Sequence, residues 1–360
     1  KEAYKPVPMG DGQTFSLRLQ ASRTFRVYSL NFAEPWLGGK KPVRFNLSLS
    51  RTQQFATGFD QNGRLDVDKS RGFAITGITA GLAKRVQWPD DYFTLSHSVS
   101  YQLYDFNDYR SGIFNFGNGS SNSLSYTFGL SRSSQGPSRI FPMTGSNFEF
   151  TAKLTPPYSL FSSKDFGQIK EDIDATTERL IEIGDPSTVE EQLEAQQLSN
   201  DLERLEEERF KLLEYYKIKF KGDWYTTLVD KLVLRTNAEF GFLGAYNHDI
   251  GNVPFERFYV GGDGLGNFTL DGRDVVQLRG YDNQSITPYD VNPVTGRLEQ
   301  DGGTIYNKFS LELRYPLTLK PSASIYALSF LEAGNAFNNF NDYNPFELKR
   351  SAGVGLRIFM

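Results

Sequence analysis

Few residues in this 360-residue chain are of a type and spacing that does chemistry. It has no Cys, which removes thiolate metal sites and disulfide scaffolds. Its two His, His97 and His248, lack a triad context, and no Ser sits in a G-x-S-x-G elbow. "GGDGLGN" (261–267) looks superficially like a phosphate-cradling loop, but the Lys-Ser/Thr that should follow is missing and no helical pattern comes after it. The same stretch offers Asp263, Asp271 and Asp274 to Ca²⁺, without an EF-hand spacing or a repeated Asp-Gly array. Asp90 and Asp91 have the place of turn residues. These residues predict no enzyme, no metal and no cofactor. What remains is "VVQLRGYDNQ" (275–284), an Arg-Gly-aromatic core with apolar residues before it, inside a polar segment as long as several strands. Segments of that length are functional or disordered, and the elements around it decide which.

The composition narrows those elements. A net charge of −4 gives no basic bias toward nucleic acid. No run approaches the ~18 apolar residues of a membrane helix, and "KEAYKPVPMG" is no signal peptide. The abrupt start and end lead us to expect a piece of a longer chain. Mean hydropathy is negative, as in a soluble protein, but also as in a membrane β-barrel, where half the strand residues face water.

The dominant signal has period two. In "VRFNLSLSR", Val43, Phe45, Leu47 and Leu49 alternate with Arg44, Asn46, Ser48 and Ser50. "YKIKFKG" sets Tyr216, Ile218 and Phe220 against Lys217, Lys219 and Lys221, and "KFSLELRY" sets Phe309, Leu311, Leu313 and Tyr315 against Ser310, Glu312 and Arg314. Such alternation makes strands with one apolar and one polar face. About twelve are predicted: 14–22, 24–37, 43–56, 71–86, 91–106, 121–134, 146–156, 215–225, 231–245, 304–316, 323–336 and 349–359. Alternate connections are short, as at Gly38–Pro42 and Leu317–Pro321, and the others long and polar. A soluble β-sandwich would also alternate. Strands approaching the ~9–11 residues of a tilted membrane strand, and aromatic residues near strand ends (Tyr92, Phe93, Tyr104, Phe106, Trp224, Tyr225), favour a transmembrane antiparallel β-barrel.

One segment breaks the pattern. Residues 164–214 turn acidic and helical. Ser187 with Glu190 three residues on forms a capping box, and Leu198, Leu202, Leu205 and Leu212 follow at helical spacing. A shorter helix is expected over Ile169–Ile183, ending at Gly184. The pair reads as a helical hairpin in a surface loop, a solvated decoration first and a partner-binding element second.

"FERFYVGGDGLGNFTLDGRDVVQLRGYDNQSITP" resembles the sixth surface loop of the BamA-type outer-membrane assembly proteins (the bacterial surface antigen, or POTRA-barrel, superfamily). The matching residues are the turn Phe258, Tyr259, Gly261 and Gly262, then Leu278, Arg279, Gly280 and Tyr281. "YSLNFAEPWL", "IFPMTGSNFEF", "FSLELRYPL", "SFLEAGNAF" and "RSAGVGLRIF" follow in the family's order, so the resemblance covers all but the 164–214 insert. It implies a sixteen-stranded all-β barrel, of which residues 1–360 would supply strands three to fourteen, with 250–303 as a loop entering the lumen. It implies that Arg279 meets Glu312 in "SLEL" and Glu332 in "FLEAG" on the inner wall; Leu328 and Phe330 share the face of Glu332, which a bulge or a shift there would reconcile. It implies a core subunit of the outer-membrane β-barrel assembly machinery of a Gram-negative bacterium, inserting barrel proteins by edge-strand templating. The partners implied are unfolded β-barrel precursors, accessory lipoproteins or surface proteins, and outer-membrane lipid. A polypeptide transporter of the same superfamily is the alternative reading, and a passive porin a third.

Overall fold

The computed structural model describes residues 12–38, 42–59, 62–109, 116–136, 138–264, 273–291, 296, 298–300, 302–320 and 322–360. Among the described residues sixteen strands are formed: β1 (Thr14–Ala21), β2 (Phe25–Glu34), β3 (Val43–Phe59), β4 (Leu65–Val86), β5 (Phe93–Asn107), β6 (Gly119–Ser133), β7 (Gly145–Leu154), β8 (Tyr216–Val229), β9 (Leu232–Gly244), the short β10 (Phe258–Val260), β11 (Asp274–Val276), β12 (Tyr289–Val291) and β13 (Leu298–Gln300), then β14 (Ile305–Lys320), β15 (Ala323–Phe337) and β16 (Lys349–Phe359). Twelve of them make one sheet in the order β1-β2-β3-β4-β5-β6-β7-β8-β9-β14-β15-β16, and every pair is antiparallel. Each of the twelve predicted segments is one strand of this sheet.

The sheet is inside out relative to a soluble protein. Leu17, Leu49, Ile78, Leu82, Val99, Leu311, Leu313, Leu331, Val354 and Leu356 point outward and are exposed, whereas Ser121, Ser123, Ser125, Asn237, Lys308 and Glu312 point inward and are buried. A sandwich would bury the first set between two layers. An apolar exterior around a polar interior is the barrel arrangement.

Connections differ at the two ends. At one end tight turns suffice, as at Asp230, whose φ of 51° lets β8 return directly into β9. There β14 runs on to Lys320 through an irregularity between Pro316 and Thr318, so Leu317 lies in the strand region and not in a turn. At the other end lie the long segments 155–215 and 245–304. The first carries two helices, α1 (Phe166–Ile183) and α2 (Val189–Arg209). Gly184, with φ of 60°, caps α1 and its N–H bonds Leu180. The N-cap of α2 is Thr188 with Glu191, one residue later than Ser187 with Glu190, because the Glu191 carboxylate accepts from both the Ser187 and Thr188 backbone N–H. Leu212 lies beyond α2, exposed and bridged to Asn122.

The hairpin is sewn in at its base. Phe210, Leu213 and Tyr215 join Phe258, Val260, Leu278 and Tyr306 in one buried cluster inside the sheet. The Arg209 guanidinium donates to the Ile250 carbonyl at 2.8 Å, and the Glu207 carboxylate accepts from the Ser120 N–H at 3.2 Å. Most of the packed core thus lies within the barrel, built from the returning segments rather than from the wall.

Candidate functional site

The segment between β9 and β14 folds back into the space the sheet encloses. Its root is held by charge. Glu256 is buried, with its carboxylate 2.5 Å from the Lys153 Nζ, 2.8 Å from the Tyr215 hydroxyl that donates to it and 3.1 Å from the Lys217 Nζ. Burial acts to raise the Glu256 pKa, but Lys153 and Lys217 outweigh it and hold it down to about 2. Asp274 stands 3.0 Å from Lys217 and 2.7 Å from Lys219, which depress its carboxyl in spite of burial. That carboxylate, considered above for Ca²⁺, is therefore occupied by two ammonium groups; Asp271 lies outside the described residues.

Beyond the root the chain reverses. Phe258, Tyr259 and Val260 are buried, and β10 pairs parallel with β11. Gly261 has φ of 128°, and a Cβ there would stand 2.6 Å from the Asp282 carbonyl oxygen, so only glycine fits. Gly262, also at positive φ, accepts from the Leu278 N–H at 3.0 Å and so closes the base of the Arg-Gly-Tyr turn. Leu278 is fully buried in the lumen cluster.

Arg279 then reaches the inner wall. Its Nη2 donates to Glu312 Oε2 at 2.9 Å and to Glu332 Oε1 at 2.7 Å, and its Nε to Glu332 Oε1 at 3.0 Å. Its backbone N–H donates to Glu332 Oε2 at 2.8 Å, so both oxygens of one carboxylate are used by a single residue. Arg279 also lies 3.8 Å over the ring of Phe330. A planar, permanently charged fork can serve two carboxylates and an aromatic face at once, which an ammonium cannot. Glu312 is seven residues into β14, so the contact lies ~23 Å along the strand from its start at ~3.3 Å per residue.

Neither a bulge nor a shift lies at Glu332. The β14–β15 register runs without a break from Ile305↔Phe337 to Pro316↔Tyr326. Leu328 and Phe330 share the face of Glu332 because they too point inward: Phe330 under Arg279, and Leu328 into a small cluster with Phe141, Val233 and Tyr326.

Gly280 and Tyr281 carry the contact to the next strand. Gly280 has φ of 85°, and a Cβ would stand 2.9 Å from that of Ser351 in β16. The Tyr281 hydroxyl donates to the Arg350 carbonyl of β16 at 2.8 Å. The loop tip therefore touches β14, β15 and β16.

A profile of the Omp85 superfamily domain matches residues 9–359. The chain belongs to the Omp85 superfamily. Omp85 proteins are β-barrels of the outer membrane. Among solved structures the chain is similar to BamA from Haemophilus ducreyi lacking POTRA domains 1–3, at a TM-score of 0.61 and 16% identity over 96% of this chain. It spans 58% of that protein's length. CdiB from Escherichia coli is matched at a TM-score of 0.48 and 13% identity, over 93% of this chain and 47% of CdiB. No curated protein matches. The Haemophilus match, at that identity, shows that the Omp85 chain has the BamA barrel fold.

Other residues gathered around Arg279 were missed in the sequence. Glu312 is also 2.5 Å from Arg314, 3.7 Å from Arg357 and 3.9 Å from Arg235, and Arg235 in turn pairs with Asp223 at 2.6 Å. Among the described residues, three wall carboxylates thus meet three wall guanidinium groups and that of Arg279 from the loop. The usable signal was parity: Arg314 lies two residues from Glu312 on the polar side of β14, and Glu312 faces Arg235 across the β9–β14 ladder.

Proposed function

We propose that this Omp85 barrel belongs to a non-enzymatic outer-membrane assembly factor of the BamA kind, which folds and inserts other β-barrel proteins. Members of the family act on outer-membrane protein substrates. The observation that carries the reading is the docking of Arg279 on Glu312 and Glu332, in a lumen whose loop end is filled by Phe210, Tyr215, Phe258 and Leu278. A filled lumen favours work done at the barrel wall over passage through its axis, and it weighs against a passive porin.

At the wall, the driving force is the cost of unpaired strand backbone in hydrocarbon. A precursor strand that adds to a sheet edge satisfies its N–H and C=O groups before it enters the bilayer. The loop tip contacts β14, β15 and β16, so it braces three neighbouring strands of the wall from inside. On this reading residues 1–360 supply barrel strands three to fourteen of sixteen, the helical hairpin and segment 338–348 lie at the exterior end, the 250–303 loop enters the lumen from that end, and β-barrel precursors, accessory lipoproteins or surface proteins and membrane lipid are the partners. A polypeptide transporter of the same superfamily would need the filled lumen to empty. Depletion of the protein followed by outer-membrane proteomics separates the two. Loss of many unrelated barrel proteins is expected, and loss of a single exported polypeptide with the others intact would replace this reading by the transporter.

A further inference from the structure

The outer wall is not bare everywhere. Midway along β14 and β15 the outward side chains are open, as at Leu311 (46% exposed) and Leu331 (58%). Near the loop end the same outward faces are shut: Asn307 is 0% exposed, and Ile305, Asn335 and Phe337 are buried too. What covers them is the segment 338–348 joining β15 to β16. Instead of rising away, it turns down over the outside of the barrel. The Asn307 amide donates to the Pro345 carbonyl at 3.1 Å, and the Asn335 amide donates to the Glu347 carbonyl at 2.9 Å. The Tyr343 ring packs 5.3 Å from that of Phe337 and 6.3 Å from that of Phe242, both outward-facing.

Two amides on the outer wall of a membrane barrel need partners, because hydrocarbon offers none. The segment's own carbonyls accept from the N–H groups of both, while the Asn307 Oδ1 is buried without a partner among the described residues. Phe346 sits between Pro345 and Glu347, the two residues pinned to the wall, yet its side chain is 84% exposed. Its ring therefore points away from the barrel, at the level of Asn307 and Asn335. Phe340, 73% exposed, projects from the same segment. Leu311 of the open apolar band begins four residues below Asn307, which is ~13 Å along the strand at ~3.3 Å per residue and less along the tilted barrel's axis. The flap is thus continuous with the lipid-facing band and lies at its upper edge, the depth where aromatic side chains settle in membranes.

We propose that residues 338–348 form a lipid-engaging flap, clamped to the outer wall by Asn307 and Asn335, which inserts Phe340 and Phe346 into the leaflet at the loop end. This rests on the membrane-barrel reading of the chain. Its consequence is local: lipid beside β14–β16 meets a flap instead of a smooth wall, next to the strands that the Arg279 loop touches from inside.

The absence of Cys makes the test direct. Single variants Phe346→Cys, Leu331→Cys and Val189→Cys are spin-labelled in vesicles of phosphatidylcholine and phosphatidylglycerol, and collision with oxygen and with a water-soluble nickel chelate is measured. The label at 346 is expected to favour oxygen over nickel, with a ratio at least several-fold above that of Val189 on the helical hairpin and nearer that of Leu331. A ratio at 346 equal to that at 189, with 331 still reading as lipid, overturns the flap alone and leaves water or a protein partner as its environment. A label at 331 that reads as water overturns the barrel reading and the flap with it. In the Asn307→Leu, Asn335→Leu variant the label at 346 is expected to become more mobile. Unchanged mobility there would refute the clamp.

Discussion

Replacing Arg279 is the sharpest perturbation the structure offers, because its contacts divide cleanly between two acids. Arg279→Ala removes the Nη2 and Nε hydrogen bonds and the stacking on Phe330. Glu312 keeps Arg314 at 2.5 Å, whereas Glu332 retains only the residue-279 amide of the contacts that Arg279 makes. Charge-assisted hydrogen bonds contribute ~1.5–3 kcal/mol each, and removing one member of a buried pair costs about 3–5 kcal/mol. The lower end applies here, since Arg279 is partly exposed and Glu312 stays partnered, so the tip loosens by about 3 kcal/mol. At 1.4 kcal/mol per tenfold, its opening rises roughly a hundredfold. Arg279→Lys keeps the charge and loses the fork, and falls between alanine and wild type. Hydrogen exchange of residues 273–284 in vesicles reads this opening, with β14 and β15 as internal controls held by their own ladder. Exchange within twofold of wild type for Arg279→Ala would refute the docking as the element that holds the loop.

Two further outcomes follow from the same geometry. Gly280→Ala is expected to loosen the tip by about 1–2 kcal/mol from the left-handed backbone alone, and further from the 2.9 Å approach to Ser351; exchange of the Tyr281 region equal to wild type would count against that approach. The loop root should resist acid. Because the Glu256 pKa is depressed when folded, its stabilisation is complete above the unfolded carboxylate value near 4.5 and fades only as pH falls toward about 2. Protection of Val253–Val260 should therefore be flat between pH 7 and 5, and a titration centred near pH 6 would show that Lys153 and Lys217 do not hold the carboxylate as described.

What the sequence discloses and what it withholds divide along a physical line. The twelve strands were legible because period-two alternation is local and each strand carries its own copy. The apolar faces also told which side would meet lipid, once strand length and the aromatic strand ends had favoured a barrel over a sandwich. The helix start slipped by one residue because Ser187 with Glu190 and Thr188 with Glu191 satisfy the same three-residue rule; the Glu191 carboxylate decides by reaching two backbone N–H groups. Arg279, Glu312 and Glu332 were named together through family resemblance, since they lie 33 and 53 residues from Arg279 with nothing local to join them. The rest of the charge network, Arg235, Arg357 and the lysines around Glu256, was visible only as the polar side of each strand. Which of those side chains meet is set by inter-strand register, and alternation says nothing about register beyond its parity.

The misread face of β15 shows how the interior is built. Leu328, Phe330 and Glu332 in one inward row look contradictory if the lumen is taken as water. They agree if the lumen is packed like a core at this level, with an aromatic ring beneath a guanidinium and a carboxylate above it. The same holds for β8, where Lys217 is buried against Glu256 and rests 4.6 Å over the Phe258 ring. An inward charge in this barrel is thus a contact for the returning segments more than a solvated group. Part of this charge is paired across the wall–loop boundary, Glu256 with Lys153 and Lys217, Asp274 with Lys217 and Lys219, and Arg279 with Glu312 and Glu332, so departure of the loop would strip these partners. The loop's seat is thus shared along the boundary, from Glu256 at its root to Arg279 on the wall carboxylates.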